Sequence, residues 1–334
     1  MTAPAGLPEP VRQLAQADFS AVAPRFAAAG FKVALPAPGI MTVSAVQPGR
    51  AGVVVSVGVH GDETGPIEML AHVLDALSHE ASKLAVNLMV CVGNIDAIRA
   101  GTRFIDADLN RMFRPVRGAL ADAAEAARAD VLIGVTQAFF ADAGEERWHL
   151  DLHTAIRPSV FPTFAIVPEL IAPERRRALV DWLGQAAIGA VVINPSSAGT
   201  YSYYSAEHHG AAASTVELGR IGTLGQNDLT QFAQVAVALN ALLRGDGATS
   251  VNPTSAQAPQ LFRVAQEVIK LSDEFSMTVG GATHNFTAMQ RGEIIATDGA
   301  TTYVVGHDEE LVVFPNPNVR VGLRAALMVV RTEF

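Results

Sequence analysis

Residues 51–59 read AGVVVSVGV, a β-branched run bounded by glycine and small residues. Such a run forms a strand buried on both faces, and a chain accommodates that strand only in a sheet covered by helices on both sides. The text that follows keeps the rhythm. TGPIEMLAHVLDALS (64–78) places Ile67, Leu70, Val73, Leu74 and Leu77 at helical spacing. LAVNLMVCVGN is a second strand, and LADAAEAARADVLIGVTQAFFADA a long amphipathic helix. WHLDLHT and TFAIVP are strands, RRRALVDWLGQAAIGAVVIN a helix and strand, STVELG a strand end, and DLTQFAQVAVALNALLRG a helix. The residues before Gly49 read as a short helix and then irregular or β structure. Strands alternating with helices of these lengths predict an α/β fold, a mixed sheet with helices on both faces.

The texture changes near Asp246. GDGATSVNPTSAQAPQ has the composition of a linker. FRVAQEVIKL, FTAMQRGEIIAT, TTYVVG, EELVVFP and AALMVVRT beyond it are short strands between turns. A length of 334 residues, at about 150 per domain, fits this division. The expected boundaries are 1–248 for an α/β domain and 249–334 for a small C-terminal β-rich domain, which by itself reads as a packing module without chemistry.

Charge and cysteine content narrow the function. With 24 basic and 33 acidic residues the chain carries −9, the opposite of a nucleic-acid footprint. A single cysteine, Cys91, rules out an intramolecular disulfide and a cysteine-rich metal site. No apolar run approaches a membrane span, and the start lacks a secretory pattern, so the expectation is a cytoplasmic enzyme without a membrane or nucleic-acid partner.

Ligands of open α/β sheets sit at the carboxyl ends of strands, where three polar clusters fall: GVHGDE (58–63), DLH (151–153) and VELG (216–219). His60 and Glu63 read either as metal donors or as a capping pair at a helix start. His153 completes a two-histidine, one-carboxylate set of the kind that leaves a fourth position of Zn²⁺ open. Asp151 shares the pleat face of His153, either to orient it or as a structural acceptor. Glu217 ends an apolar strand, a setting that raises a carboxyl pKa and suits a general base. Its alternatives are a strand-end pair with Arg220, or a base supplied instead by Glu207. TRFIDADLNRMF (102–113) gathers Arg103, Asp106, Asp108, Asn110 and Arg111, which fits either a grip on an anion or a loop neutralised by its own salt bridges.

GVHGDETGPIEML, GTRFIDADLNRMF, DLHTAIR and TVELG, in that order and at those separations, resemble the succinylglutamate desuccinylase and aspartoacylase family. AEHHGAAASTVELGRIGTLGQNDL and VVFPNPNVRVGLRAALMV place the likeness on its desuccinylase branch. The resemblance implies a zinc-carboxypeptidase-like fold, with one Zn²⁺ per subunit on His60, Glu63 and His153. It further implies Glu217 as general base, Arg103 polarising the scissile carbonyl, and Asn110 and Arg111 gripping a substrate carboxylate. The tail becomes a cap that restricts the cleft to small anionic N-acyl amino acids. The implied reaction is hydrolysis of N-succinyl-L-glutamate to succinate and L-glutamate, in arginine catabolism by the succinyltransferase route. The alternative is deacylation of another N-acyl amino acid such as N-acetylaspartate. EHHG stands where EHFG is expected, so the pocket wall near His209 should differ, with Tyr201, Tyr203 and Tyr204 as lining.

Overall fold

The computed structural model describes residues 6–245, 258–280 and 282–333. The strands are β1 Lys32–Ala37, β2 Ile40–Ser44, β3 Gly52–Val57, β4 Asn87–Val92, β5 Arg147–Ala155, β6 Phe164–Pro168, β7 Ala190–Asn194 and β8 Ala212–Arg220. The C-terminal region adds β9 Gln260–Ile269, β10 Ser276–Met277, β11 Thr287–Gln290, β12 Ile294–Asp298, β13 Thr301–Val304, β14 Glu309–Val313 and β15 Arg324–Arg331. The α-helices are α1 Glu9–Ala15, α2 Ala23–Ala28, α3 Gly65–His79, α4 Ile95–Ala100, α5 Ala126–Ala141, α6 Pro173–Gln185, α7 Tyr201–His209 and α8 Ala233–Arg244.

The centre of the molecule is parallel: β4, β3, β5 and β8 lie side by side, as their unbroken apolar runs require. Every residue of β3 and β4 is buried. Helix α3 packs with α1 and α8, and α5 with α7, on the two faces of the sheet. The expected mixed α/β sheet with a β-rich C-terminal region is the fold observed. The helix expected from Leu120 starts later, because a tight turn and a bent segment occupy residues 118–125 before α5. The helix expected from Asp228 likewise begins with a 3-10 turn capped by the Asp228 carboxylate. Three helices escaped the reading of the sequence: one of the N-terminal pair α1 and α2, where a single short helix is expected, α4, and α7 with its sequence YSYYSAEHH.

The C-terminal strands do not form a detached sheet. β9 pairs in parallel with β7, Ala190 opposite Gln260, so twelve strands run continuously from β1 to β11, while β10, β12 and β13 form a second small sheet. Phe164 of β6, Phe262 of β9, Phe286 and Phe314 cluster at this seam with ring centroids 5.1–5.5 Å apart. Most of the linker expected over residues 245–260, and with it the boundary at 248/249, lies outside the described residues, while Gln260 at its end already belongs to β9. Among the described residues no helix is long and apolar enough to cross a membrane. Burial pushes the Cys91 thiol up to about 12, which leaves it an inert core residue.

Two glycines shape the turn after β3. Gly58 has φ +64°, in the left-handed region. Gly61 sits against the backbone of α4, and a Cβ there would lie 2.2 Å from Ala97 C and 2.3 Å from Ile98 N. Gly61→Ala must therefore move either α4 or the His60–Glu63 turn. We expect it to cost about 1–3 kcal/mol, read as a lower Tm, and an unchanged Tm would show slack in this turn.

Candidate metal centre and active-site cleft

The carboxyl ends of β3, β5 and β8 place the three polar clusters side by side. His60 and Glu63 follow β3 at the entry to α3, and His153 of β5 stands in register with Glu217 of β8. Nearest-neighbour parallel pairing puts His153 and Glu217 on one face. All four side chains are buried.

The donor atoms converge. His60 Nδ1 lies 2.8 Å from Glu63 Oε1, His153 Nδ1 lies 2.8 Å from Glu63 Oε2, and the two Nδ1 atoms are 3.2 Å apart. Two ring nitrogens that close hold a proton or a cation between them. The remaining nitrogens are committed elsewhere: His60 Nε2 donates to Asp108 Oδ1 and His153 Nε2 to Asp151 Oδ2, each at 2.9 Å. With Nε2 donating there, a cation replacing the protons on Nδ1 would meet both Nδ1 lone pairs at one spot. Bond lengths near 2.0 Å around a tetrahedral ion require donor separations of roughly 3.3 Å. The three side chains could therefore hold one divalent ion with small adjustments. Burial opposes charge on Glu63, but the two imidazoles outweigh it and hold its carboxyl well below the usual range. Burial likewise opposes charge on His153, and Asp151 and Glu63 overcome it.

A buried relay stands behind His153. Ser56 Oγ donates to Asp151 Oδ1 at 2.5 Å, so it accepts from His149 Nε2 at 2.9 Å, and His149 Nδ1 accepts from Ser205 Oγ at 2.7 Å. Burial lowers His149 to about 4, which keeps it neutral.

The loop 102–113 is held open by an acid that the sequence did not single out. Glu125 accepts backbone N–H bonds from Ile105, Asp106 and Ala107 and a bond from Asn94. Burial opposes its ionisation, but these donors outweigh it and lower its pKa. No motif could reveal this, because Glu125 falls in an Ala-rich run where an acid looks solvent-facing. The loop then presents Arg103, whose Nη1 donates to Glu63 Oε1 at 2.7 Å, and Arg111, whose nearest carboxylate is Asp108 at 3.8 Å. Asn110 Oδ1 accepts from Tyr201 N at 2.9 Å. Its Nδ2 lies 3.4 Å from His153 Nε2, a nitrogen already donating to Asp151, so that amide keeps hydrogens for the cleft.

These residues line a cleft of about 410 Å³, within the range of small-molecule sites. Its arginines, Arg103, Arg111, Arg157, Arg320 and Arg324, outnumber the acids Glu63, Asp108 and Glu217. The tail is not chemically silent: Asn285, Phe314, Asn316, Arg320 and Arg324 form part of the wall.

His60, Glu63, His153, Glu217, Arg103, Asn110 and Arg111 all meet in this one cleft. Several alternatives fall away. Arg220 is exposed and makes no pair with Glu217. Glu207 is exposed beside His208 and outside the cleft. Of the three tyrosines expected as lining only Tyr203 qualifies; Tyr201 is stacked on Phe113 and bonded to Thr136 in the core. His209 packs on Phe140 behind the cleft, so its departure from the expected motif does not alter the pocket wall.

Glu217 has a cost that can be measured. Oε2 is buried without a hydrogen-bond partner among the described residues. Burial first, and the charge of Glu63 second, push its carboxyl up to about 7 from an ordinary 4.5. The neutral form therefore contributes stability that is complete below about 4.5 and is lost as pH rises through about 7. In metal-stripped protein, the stability of Glu217→Gln relative to the native chain should grow by about 1–3 kcal/mol across that window and level off above it. A pH-independent difference in Tm would contradict this.

Comparison with known proteins agrees with the geometry. Residues 50–243 match the succinylglutamate desuccinylase/aspartoacylase catalytic domain, and residues 257–332 the AstE/AspA barrel-sandwich hybrid domain. A protein of Burkholderia orbicola named succinylglutamate desuccinylase is 47% identical over 285 residues, covering 85% of this chain and 82% of the relative. One of Paraburkholderia xenovorans with the same name is 42% identical over 296 residues, covering 88% and 85%. Two solved succinylglutamate desuccinylase structures, from Vibrio parahaemolyticus and Vibrio cholerae, are each 33% identical with TM-score 0.83. They cover 91% and 90% of this chain, matched to 89% and 88% of their own. Matches of this extent, over both halves of the fold, make the chain a member of the succinylglutamate desuccinylase/aspartoacylase family.

Proposed function

We propose that this chain is a zinc-dependent amidohydrolase that cleaves N-succinyl-L-glutamate to succinate and L-glutamate, in arginine catabolism by the succinyltransferase route. The observation that carries the reading is the meeting of His60, Glu63 and His153 donor atoms beside an unpartnered Glu217 oxygen, at the base of an arginine-lined cleft. The names of relatives sharing 42–47% of their residues with this chain support the choice of substrate.

Zinc held by His60, Glu63 and His153 would supply a Lewis acid that polarises a carbonyl and acidifies water. Glu217 Oε2 takes the proton of the attacking water and delivers it to the departing amide nitrogen. A carboxyl raised to about 7 suits both halves of that task near neutrality. Arg103, braced by Glu63, aims its guanidinium at the oxyanion that develops on the scissile carbonyl. Asn110 Nδ2 and Arg111 anchor a substrate carboxylate, converting binding energy into orientation of the amide. Arg320, tied to the Asp106 carbonyl at 3.2 Å, draws the tail over the cleft and limits it to small substrates.

The test is release of amine from N-succinyl-L-glutamate, N-acetyl-L-glutamate, N-acetyl-L-aspartate and N-succinyl-L-arginine, with and without a chelator. A preference for N-acetyl-L-aspartate would instead favour a different deacylase of the same family. Glu217→Gln should lower kcat by about 10²–10⁴ with KM little changed. In the native enzyme kcat/KM should fall on acidification, because a protonated Glu217 cannot accept the water's proton. Near-normal turnover in the variant would move the base elsewhere. His153→Ala should lose bound zinc, and full zinc content would refute the ligand assignment.

A further inference from the structure

Five arginines face the cleft, and four of them have an evident engagement. Arg103 is held by Glu63, and Arg111 lies beside Asp108 and donates to the Asn110 carbonyl. Arg157 donates to the Gly280 carbonyl, and Arg320 to that of Asp106. Arg324 is different. It opens β15, opposite Ile269 of β9, and its side chain is 14% exposed. Its one carboxylate partner among the described residues is Glu267, at 3.3 Å from Nη1. That is longer than the 2.7–2.9 Å of a well-formed charge-assisted bond. Burial, and then the like charge of Arg111, lower the guanidinium to about 10. A buried fork, loosely paired and lining the cleft near enough to a second arginine to feel its charge, is arranged to receive an anion.

We propose that Arg324, from the C-terminal β region, is a specificity-determining residue that takes the acyl or the side-chain carboxylate of the substrate, whichever Arg111 does not hold. The proposal rests on the hydrolase reading above. N-succinyl-L-glutamate carries one carboxylate on the acyl chain and two on the amino acid, so a single fork at Arg111 leaves others to be received. Arg324 then makes the tail part of substrate recognition, and Glu267 is its place-holder while the cleft is empty of substrate.

The experiment compares Arg324→Gln, Arg324→Lys and Glu267→Gln zinc-loaded enzyme on three substrates. These are N-succinyl-L-glutamate, N-butanoyl-L-glutamate (no acyl carboxylate) and N-succinyl-L-norvaline (no side-chain carboxylate). Arg324→Gln should raise KM for the first about 10–100-fold, the range for loss of a charge-assisted hydrogen bond, with kcat within about threefold. The increase should vanish for one truncated substrate, which identifies the carboxylate. Arg324→Lys should fall between, and Glu267→Gln should leave KM equal or lower, because it removes a competing carboxylate. An equal KM increase on all three substrates, or a KM increase in Glu267→Gln matching that of Arg324→Gln, would reduce the pair to a brace between β9 and β15 and overturn the proposal. Succinate and L-glutamate binding, measured by calorimetry on the same proteins, separates this from failure of the hydrolase reading. A native enzyme inactive on N-succinyl-L-glutamate would sink that reading. Weaker binding of either dicarboxylate to Arg324→Gln would still uphold the anion fork, and unchanged binding of both would reject it.

Discussion

Two imidazoles, each tied by its Nε2 to a carboxylate, decide what the centre of this molecule can do. Left free, a buried histidine would satisfy itself with whichever neighbour was nearest, and its second nitrogen would point anywhere. Asp108 and Asp151 remove that freedom from opposite directions, one from a loop and one from within β5. Each is itself restrained: Asp108 accepts the Asn110 amide, and Asp151 the Ser56 hydroxyl. The converging Nδ1 atoms are thus the visible end of hydrogen-bond chains that reach through the sheet to α7 and along the loop. Support of this kind from outer partners is what a cluster that could hold a metal requires.

The cleft above that centre reverses the character of the chain. A protein of charge −9 sets five arginines around one concavity, where positive charge raises the local concentration of anions and orients them. Most of these guanidiniums are steadied by a backbone carbonyl or a single acid, which fixes their direction without neutralising them. The arrangement selects for charge distribution as much as for shape, and it draws on residues more than 200 positions apart in sequence.

Much of this was legible before any coordinates. The buried strand after Ala51, the alternation of strand and helix, and the polar clusters at strand ends follow from periodicity, and four ordered motifs pointed to the family. What stayed hidden has a physical reason in each case. Glu125 binds backbone N–H groups, a partner that carries no side-chain pattern. Helix α7 buries polar and aromatic residues alike over Tyr201–Ala206 and is exposed only near its end, so it shows no amphipathic stripe. Arg324 becomes significant only through pairing between β15 and β9, which local sequence does not encode. The tyrosines misled for the related reason that an aromatic near a motif can as readily fill the core: Tyr201 stacks on Phe113.

The parallel pairing of β9 with β7 carries a consequence for biosynthesis. β7 is buried along its whole length and apolar except at its end. Until the last quarter of the polypeptide has emerged from the ribosome, it offers neighbouring chains an open row of amides and carbonyls, the surface from which misassembly starts. A product terminated after α8 would retain every proposed zinc donor and still expose that row, so the C-terminal strands cover a sheet edge as well as lining the cleft.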